Sequence, residues 1–258
     1  MANGIRGLPR ESLLHVRSLT LGSGGKTAAN LLRSNRAAIV LAGGRSLRFG
    51  LNKALQILAG KPLICHVVEH LSNVAEDVLV AIGRGEPRAE YHAVLPSHVR
   101  VINDELEGKN PLVGILTGLR ATKSDYVAVL ACDLPFVNDA VIELLFRRAL
   151  NADAAIPRWE SGRIEPLEAV YRRLPTLRAA EEAMAKEGSS QRDMISRLAR
   201  VVYLSVEDDV RSIDPSLRTF FNVNTRKDMI TAERIIAEKS LSDRDASLAG
   251  DLRGIEGS

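Results

Sequence analysis

From residue 37 onward, short apolar runs rich in Val, Ile and Ala alternate with stretches in which apolar positions recur at helical spacing. That alternation predicts an α/β fold, a three-layer α/β/α sandwich with a Rossmann-like, mostly parallel sheet. The run Ala37–Ala42 predicts a buried strand ending at Gly43-Gly44, and Pro62 opens a helix in which Leu63, Val67 and Leu71 share a face. Further strands are predicted at Val78–Ile82, Val99–Ile102 and Tyr126–Cys132, with helices over Pro111–Arg120 and from the cap Asn138 to Leu150. Beyond these come strands at Ala154–Pro157, Leu167–Tyr171, Val201–Val206 and Thr219–Val223. Helices are predicted over Thr176–Lys186, Gln191–Arg200 and Thr225–Glu238. No internal repeat or Pro/Gly/Ser-rich linker interrupts residues 37–239, so one domain over 36–239 is the economical division. It is flanked by a basic, flexible leader at 1–35 and a loose tail at 240–258 that lacks periodic hydrophobics.

Composition narrows the class. The 258 residues, 45% hydrophobic and 26% charged, suffice for one globular core and exclude disorder throughout. No apolar run approaches the roughly 20 residues that span a bilayer, which argues against a membrane protein. Two cysteines, Cys65 and Cys132, make no disulfide framework and point to the reducing cytoplasm. Residues 1–36 carry six Lys/Arg against the single acid Glu11, a charge of +5, so the rest of the chain holds −2 of the +3 total. The basic balance therefore belongs to the leader. Neither the charge of the body nor the 4% aromatic content of the whole chain suits nucleic-acid binding. The leader itself fits a transit peptide, a misplaced start or a disordered arm alike.

The chemistry concentrates in Leu41-Ala-Gly-Gly-Arg-Ser-Leu-Arg-Phe-Gly-Leu-Asn-Lys53, directly after the first strand. Gly43 and Gly44 let the backbone pass close to a ligand and turn amide N–H groups toward phosphate oxygens. Ser46 adds a short donor, Arg48 can bridge two phosphate oxygens, and Lys53 supplies a mobile point charge. Polyphosphate chemistry at such a loop calls for a cation, and Asp133, at the end of Tyr126–Cys132, is the candidate Mg²⁺ ligand.

With Cys132-Asp-x-Pro135, this loop resembles the nucleotidyltransferases of the molybdenum cofactor guanylyltransferase type, kin of the sugar-phosphate nucleotidyltransferases. Asn110-Pro-Leu-Val-Gly114, Glu165-Pro-Leu-Glu-Ala-Val-Tyr171 and Phe221-Asn-Val-Asn-Thr225 resemble three further family segments, in the same order. The resemblance implies transfer of GMP from Mg-GTP to the terminal phosphate of molybdopterin, in its molybdenum or tungsten form, with release of pyrophosphate. It implies that Gly43, Gly44, Ser46 and Arg48 hold the β- and γ-phosphates, that Lys53 acts at the α-phosphate and that Asp133 binds magnesium. Leu41 and Ala42 would face the guanine, Pro111, Leu112 and Gly114 would shape the nucleoside pocket, and Asn222 and Asn224 would lie near the acceptor. The family often carries an Asp before the proline segment, and Glu107 is taken as its counterpart; Asn52 stands where the family usually has Asp. Cytidylyl transfer, transfer to a sugar phosphate or cobinamide phosphate, and a non-catalytic nucleotide-binding regulator are the competing readings. Other cofactor-biosynthesis or acceptor proteins are the expected partners.

Other signals carry less. Gly22-Ser-Gly-Gly-Lys26-Thr27 misses the P-loop spacing because Thr20 stands where glycine is required. His66 and His70, four residues apart, read as a solvated helix face. Cys132 reads as a small buried hydrophobe. Arg172-Arg173 suits an acceptor phosphate and a water-facing surface equally.

Overall fold

The computed structural model describes residues 35–43, 52–106, 110–186 and 189–239. Gly44, Ser46, Arg48 and Glu107, the leader, the tail and the Gly22–Thr27 segment lie outside the described residues. Nine strands are present among the described residues: β1 Arg36–Leu41, β2 Ile57–Leu58, β3 Lys61–Pro62, β4 Asp77–Ile82, β5 Arg100–Asn103, β6 Tyr126–Ala131, β7 Ala154–Arg158, β8 Glu168–Arg172 and β9 Val201–Ser205. The helices are α1 Leu63–Val74, α2 Arg88–His92, α3 Pro111–Ala121, α4 Asp139–Ala149, α5 Arg173–Met184, α6 Gln191–Ile195 and α7 over 226–239.

Seven strands form one sheet in the order β5-β4-β1-β6-β8-β7-β9. β1 pairs in parallel with β4 on one side and β6 on the other, while β8 is antiparallel to both β6 and β7. The chain first builds outward from β1 to β4 and β5, then returns to add β6 on the opposite flank. This reversal opens a crevice beyond the carboxyl ends of β1 and β6, where open α/β sheets bind their ligands. Gly43 and Asp133 stand at those two ends.

Both faces of β1 are covered, which is why its sequence is an unbroken apolar run instead of an alternation. Ala38 and Val40 pack with α1 and α4 residues such as Val68, Leu71 and Leu145, while Ala37, Ile39 and Leu41 pack with Leu112, Ile115 and Leu119 of α3. Close approach of α3 to β1 requires Gly118, where a Cβ would stand 2.4 Å from Ile39 Cδ1. Asn110 and Asn138 cap α3 and α4, each accepting a hydrogen bond from the backbone N–H two residues on.

Three expectations need correction. Thr219–Val223 is not a strand: its N–H groups go to Asp214 Oδ2, Leu217 O, Arg218 O and Asp133 O, in turns that let Phe220 meet Trp159 and Phe221 meet Phe136. α6 stops at Ile195, where tight turns take over through Leu198. His66 is buried, with Nε2 2.9 Å from Leu58 O, so it does not belong to a solvated stripe; His70, whose side chain is 41% exposed, has Nδ1 2.6 Å from Asp139 Oδ1. Burial holds the His66 pKa below its ordinary value, which keeps the ring neutral as a donor to Leu58. Among the described residues, no group of three or more His, Cys, Asp or Glu side chains could hold a metal ion, and no helix is long and apolar enough to cross a membrane.

Candidate active site

The cleft begins where the parallel strands end. Backbone bonds continue the sheet one step past each strand: Ala42 N donates to Ala81 O, Cys132 N to Leu41 O and Asp104 N to Ile82 O. The loops after β1, β5 and β6 thereby leave the sheet at one rim with fixed geometry. They line a cavity of about 220 Å³ together with Lys53, Pro111 and Gly114.

Lys53 reaches this rim from a 3-10 turn, Lys53–Leu55, that Asn52 caps through a bond from Ala54 N. Its ammonium donates to Asp133 Oδ2 at 2.6 Å and to Asn224 Oδ1 at 2.9 Å. Asn224 is delivered by the 221–224 segment, which Val223 anchors in two ways. Its N–H donates to Asp133 O at 2.9 Å, and its side chain is buried with Leu58, Leu63 and Ala232. Asp133 keeps a second oxygen, Oδ1, buried and without a partner. A buried carboxylate oxygen left unpaired costs free energy unless something binds there, and a hard divalent cation suits such a donor.

At the other end of the cavity lies Asp104, directly after β5. It is 9% exposed, and its Oδ1 has no hydrogen-bond partner. Burial pushes its pKa up to about 6, against a smaller opposing effect from a Thr117 hydrogen bond and a further push from the Glu86 charge. The carboxylate lies against both glycine positions of the cleft: a Cβ on Gly43 would stand 3.2 Å from Asp104 Oδ2 and 3.0 Å from Gly83 N, and one on Gly114 would stand 3.6 Å from Asp104 Oδ1. Glycine at these positions keeps the space open.

Of the predicted site residues that are described, Leu41, Ala42, Gly43, Lys53, Pro111, Gly114 and Asp133 line one cavity. Leu112 does not. It is fully buried beneath Ile115 and Leu119, because one residue along a helix turns the side chain by about 100° from the Pro111 and Gly114 face. Asn224 touches Lys53, whereas Asn222 is exposed and donates to Phe220 O. Asp104 is the residue that sequence reasoning missed. The signal was available: it follows β5 as Asp133 follows β6.

Two other candidates take no part in the chemistry. Desolvation and the adjacent Asp133 charge push the Cys132 thiol up to about 12, so it is no nucleophile. Arg172 pairs in register with Tyr126 at the start of β6, which places the Arg172-Arg173 pair at the rim opposite the cleft.

The model of the MobA-like NTP transferase domain matches residues 38–201. A Methanosarcina acetivorans protein named "Probable molybdenum cofactor guanylyltransferase" is 40% identical over 201 residues, covering 76% of this chain and 88% of that one. The molybdenum cofactor guanylyltransferase of Desulfosudis oleivorans is 32% identical over 208 residues, covering 79% and 97%. Among solved structures, the molybdopterin-guanine dinucleotide biosynthesis protein A of Archaeoglobus fulgidus superposes with a TM-score of 0.67 at 32% identity, covering 78% of this chain and 99% of that one.

Proposed function

Because this chain belongs to the MobA-like NTP transferase family, we propose that it is a molybdenum cofactor guanylyltransferase, moving GMP from GTP to molybdopterin with release of pyrophosphate. The observation that carries this reading is the Lys53 ammonium held between Asp133 and Asn224 at one end of a cleft whose other end is Asp104. A nucleotide spans such a cleft with its base at Asp104 and its phosphates at Lys53. Guanine presents two adjacent donors, N1–H and the 2-amine, and one carboxylate accepts both; cytosine offers no such pair. Asp104 therefore takes the role first given to Glu107, and it favours GTP over CTP.

In the reaction, an oxygen of the acceptor's terminal phosphate forms a bond to the α-phosphorus, and the bond from that phosphorus to the bridging oxygen of pyrophosphate breaks. The acceptor is already anionic, so no general base is needed, and catalysis is alignment and charge neutralisation. Lys53 moves from Asp133 Oδ2 toward the α-phosphate and stabilises the charge that builds there. Gly43, Gly44, Ser46 and Arg48 hold the β- and γ-phosphates, and Asn222 and Asn224 border the acceptor. A magnesium ion held by Asp133 would neutralise the polyphosphate. Both cysteines are free, in keeping with a cytoplasmic enzyme.

Incubation of the protein with molybdopterin, Mg²⁺ and each α-labelled nucleoside triphosphate tests the proposal. Label is expected to pass to the pterin from GTP. Preference for CTP indicates a cytidylyltransferase, and transfer from no nucleotide removes the enzymatic reading.

Asp104 gives a pH prediction with two opposite signs. Its carboxyl must be charged to accept both guanine hydrogens, so GTP affinity is expected to rise as pH passes upward through about 6. In the free protein the same charge is costly. The folded pKa lies above the ordinary 3.8, so this group's contribution to stability falls as pH rises from about 4 to about 6. Asp104→Asn is expected to lose about tenfold in GTP affinity at pH 8 while melting at a higher temperature than the parent, and to flatten the pH dependence. Calorimetric titration and thermal melts at pH 5 and 8 check both. A variant that keeps full affinity would detach Asp104 from the base.

A further inference from the structure

Lys53 stands on a single 3-10 turn, an element too short to hold its own shape, yet its ammonium must be aimed within a fraction of an ångström. Asn52 fixes the turn. Its side-chain oxygen already accepts from Ala54 N at 3.2 Å, so only its Nδ2 hydrogens are left to give. Nδ2 donates to the Tyr91 hydroxyl at 2.7 Å, and the hydroxyl donates its single proton to Glu86 Oε2 at 3.0 Å. Tyr91 is fully buried, and that burial pushes its pKa upward, so the phenol keeps its proton. Glu86 is fastened in turn. Its N–H donates to Gly83 O, its Oε1 fills the space where a Gly83 Cβ would stand, and Asn103 Nδ2 donates to the carbonyls of both Gly83 and Glu86. Asn103 immediately precedes Asp104. Hydrogen bonds through Tyr91 and Glu86 thus tie Asn52, the residue before Lys53, to Asn103, the residue before Asp104.

We infer that Tyr91 is a positioning residue for Lys53, acting through the directed chain Asn52 to Tyr91 to Glu86; the inference rests on the role given to Lys53 above. The chain has one workable polarity. Asn52 gives a hydrogen, Tyr91 passes one on, and Glu86 receives it. A carboxylate at position 52 has no hydrogen to give, so it and Glu86 would compete for the one phenolic proton and the loser would sit unpaired. Turning Glu86 into an amide at the same time restores the count and reverses the direction: the amide at position 86 donates to the phenol oxygen, and the phenol donates to the carboxylate at position 52.

The test compares Tyr91→Phe, Asn52→Asp and the pair Asn52→Asp/Glu86→Gln. Tyr91→Phe and Asn52→Asp are each expected to lower kcat about tenfold with the KM for GTP within about twofold, because the lysine is misaimed while nucleotide contacts survive. The pair is expected to recover kcat to within about threefold of the parent. A purely structural role would lower stability without separating kcat from KM and without such rescue. Tyr91→Phe with parental kcat, or a pair no better than Asn52→Asp alone, overturns the inference. The swap keeps Tyr91 in place and so decides the matter even if Tyr91→Phe folds poorly. The NMR signal of ¹³C-methylated Lys53, assigned with Lys53→Arg, gives a readout free of activity. It is expected to shift in Asn52→Asp and return in the pair. Should the parent chain transfer no nucleotide, the functional reading fails, and this signal still decides the relay: no shift in Asn52→Asp overturns it.

Discussion

Replacing Asp133 by alanine is expected to lower guanylyl transfer at saturating GTP by at least about a thousandfold and to erase its dependence on magnesium. Two separate losses combine. The buried Oδ1, which has no protein partner, disappears as a donor for a divalent cation, and Oδ2 no longer orients the Lys53 ammonium from 2.6 Å. The peptide group of Asp133 stays pinned by Val223 N in the variant, so the 221–224 segment keeps its place and the defect is one of charge, not of folding. Asp133→Asn preserves the shape and removes only the charge, and it is expected to fall nearly as far. Pyrophosphate release measured across a magnesium titration checks both variants. A titration curve unchanged by either substitution would move the metal to another ligand.

Lys53→Ala is expected to lower kcat by about 10² to 10³ while the KM for GTP rises less than about tenfold. In the free protein the ammonium is already neutralised by Asp133 and accepted by Asn224, with the lysine and aspartate side chains 13% and 15% exposed. Binding GTP exchanges one anionic partner for another, so little affinity is gained from this charge in the ground state. As the α-phosphate becomes more crowded with negative charge, the exchange turns favourable, and the benefit appears in the rate. Steady-state kinetics with saturating molybdopterin separate the two constants. Equal losses in kcat and in affinity would make Lys53 an ordinary phosphate anchor.

Much of this architecture was legible because period and punctuation agreed. β1, β4 and β6 are doubly covered strands written as unbroken apolar runs, and Asn138 announces the helix it caps. Elements decided by tertiary contacts were not legible. Thr219–Val223 has β-forming residues, but its aromatics are drawn to Trp159 and Phe136 and its N–H groups to turns and to Asp133. The site divides the same way. Gly43 and Asp133 at the strand ends follow from local sequence, whereas the contact between Lys53 and Asn224 joins positions 171 residues apart. Glu107 is the acidic residue nearest Pro111 in sequence, yet Asp104, which immediately follows a parallel strand, is delivered to the ligand rim. His66 shows the converse limit: its backbone acceptor, Leu58 O, lies in the short β2–β3 hairpin, which no periodicity marks.

On the proposed function, one nucleotide lies across this cleft with its base at Asp104 and its phosphates between Gly43 and Lys53, beside a divalent ion on Asp133. A crystal structure with a non-hydrolysable GTP analogue and Mn²⁺, with data collected at the manganese edge, tests it most directly. The expected result is an anomalous peak within about 2.3 Å of an Asp133 carboxylate oxygen, the α-phosphate within reach of Lys53 Nζ, and the guanine edge against Asp104. A nucleotide bound with its phosphates away from Lys53, or a manganese peak remote from Asp133, would contradict it.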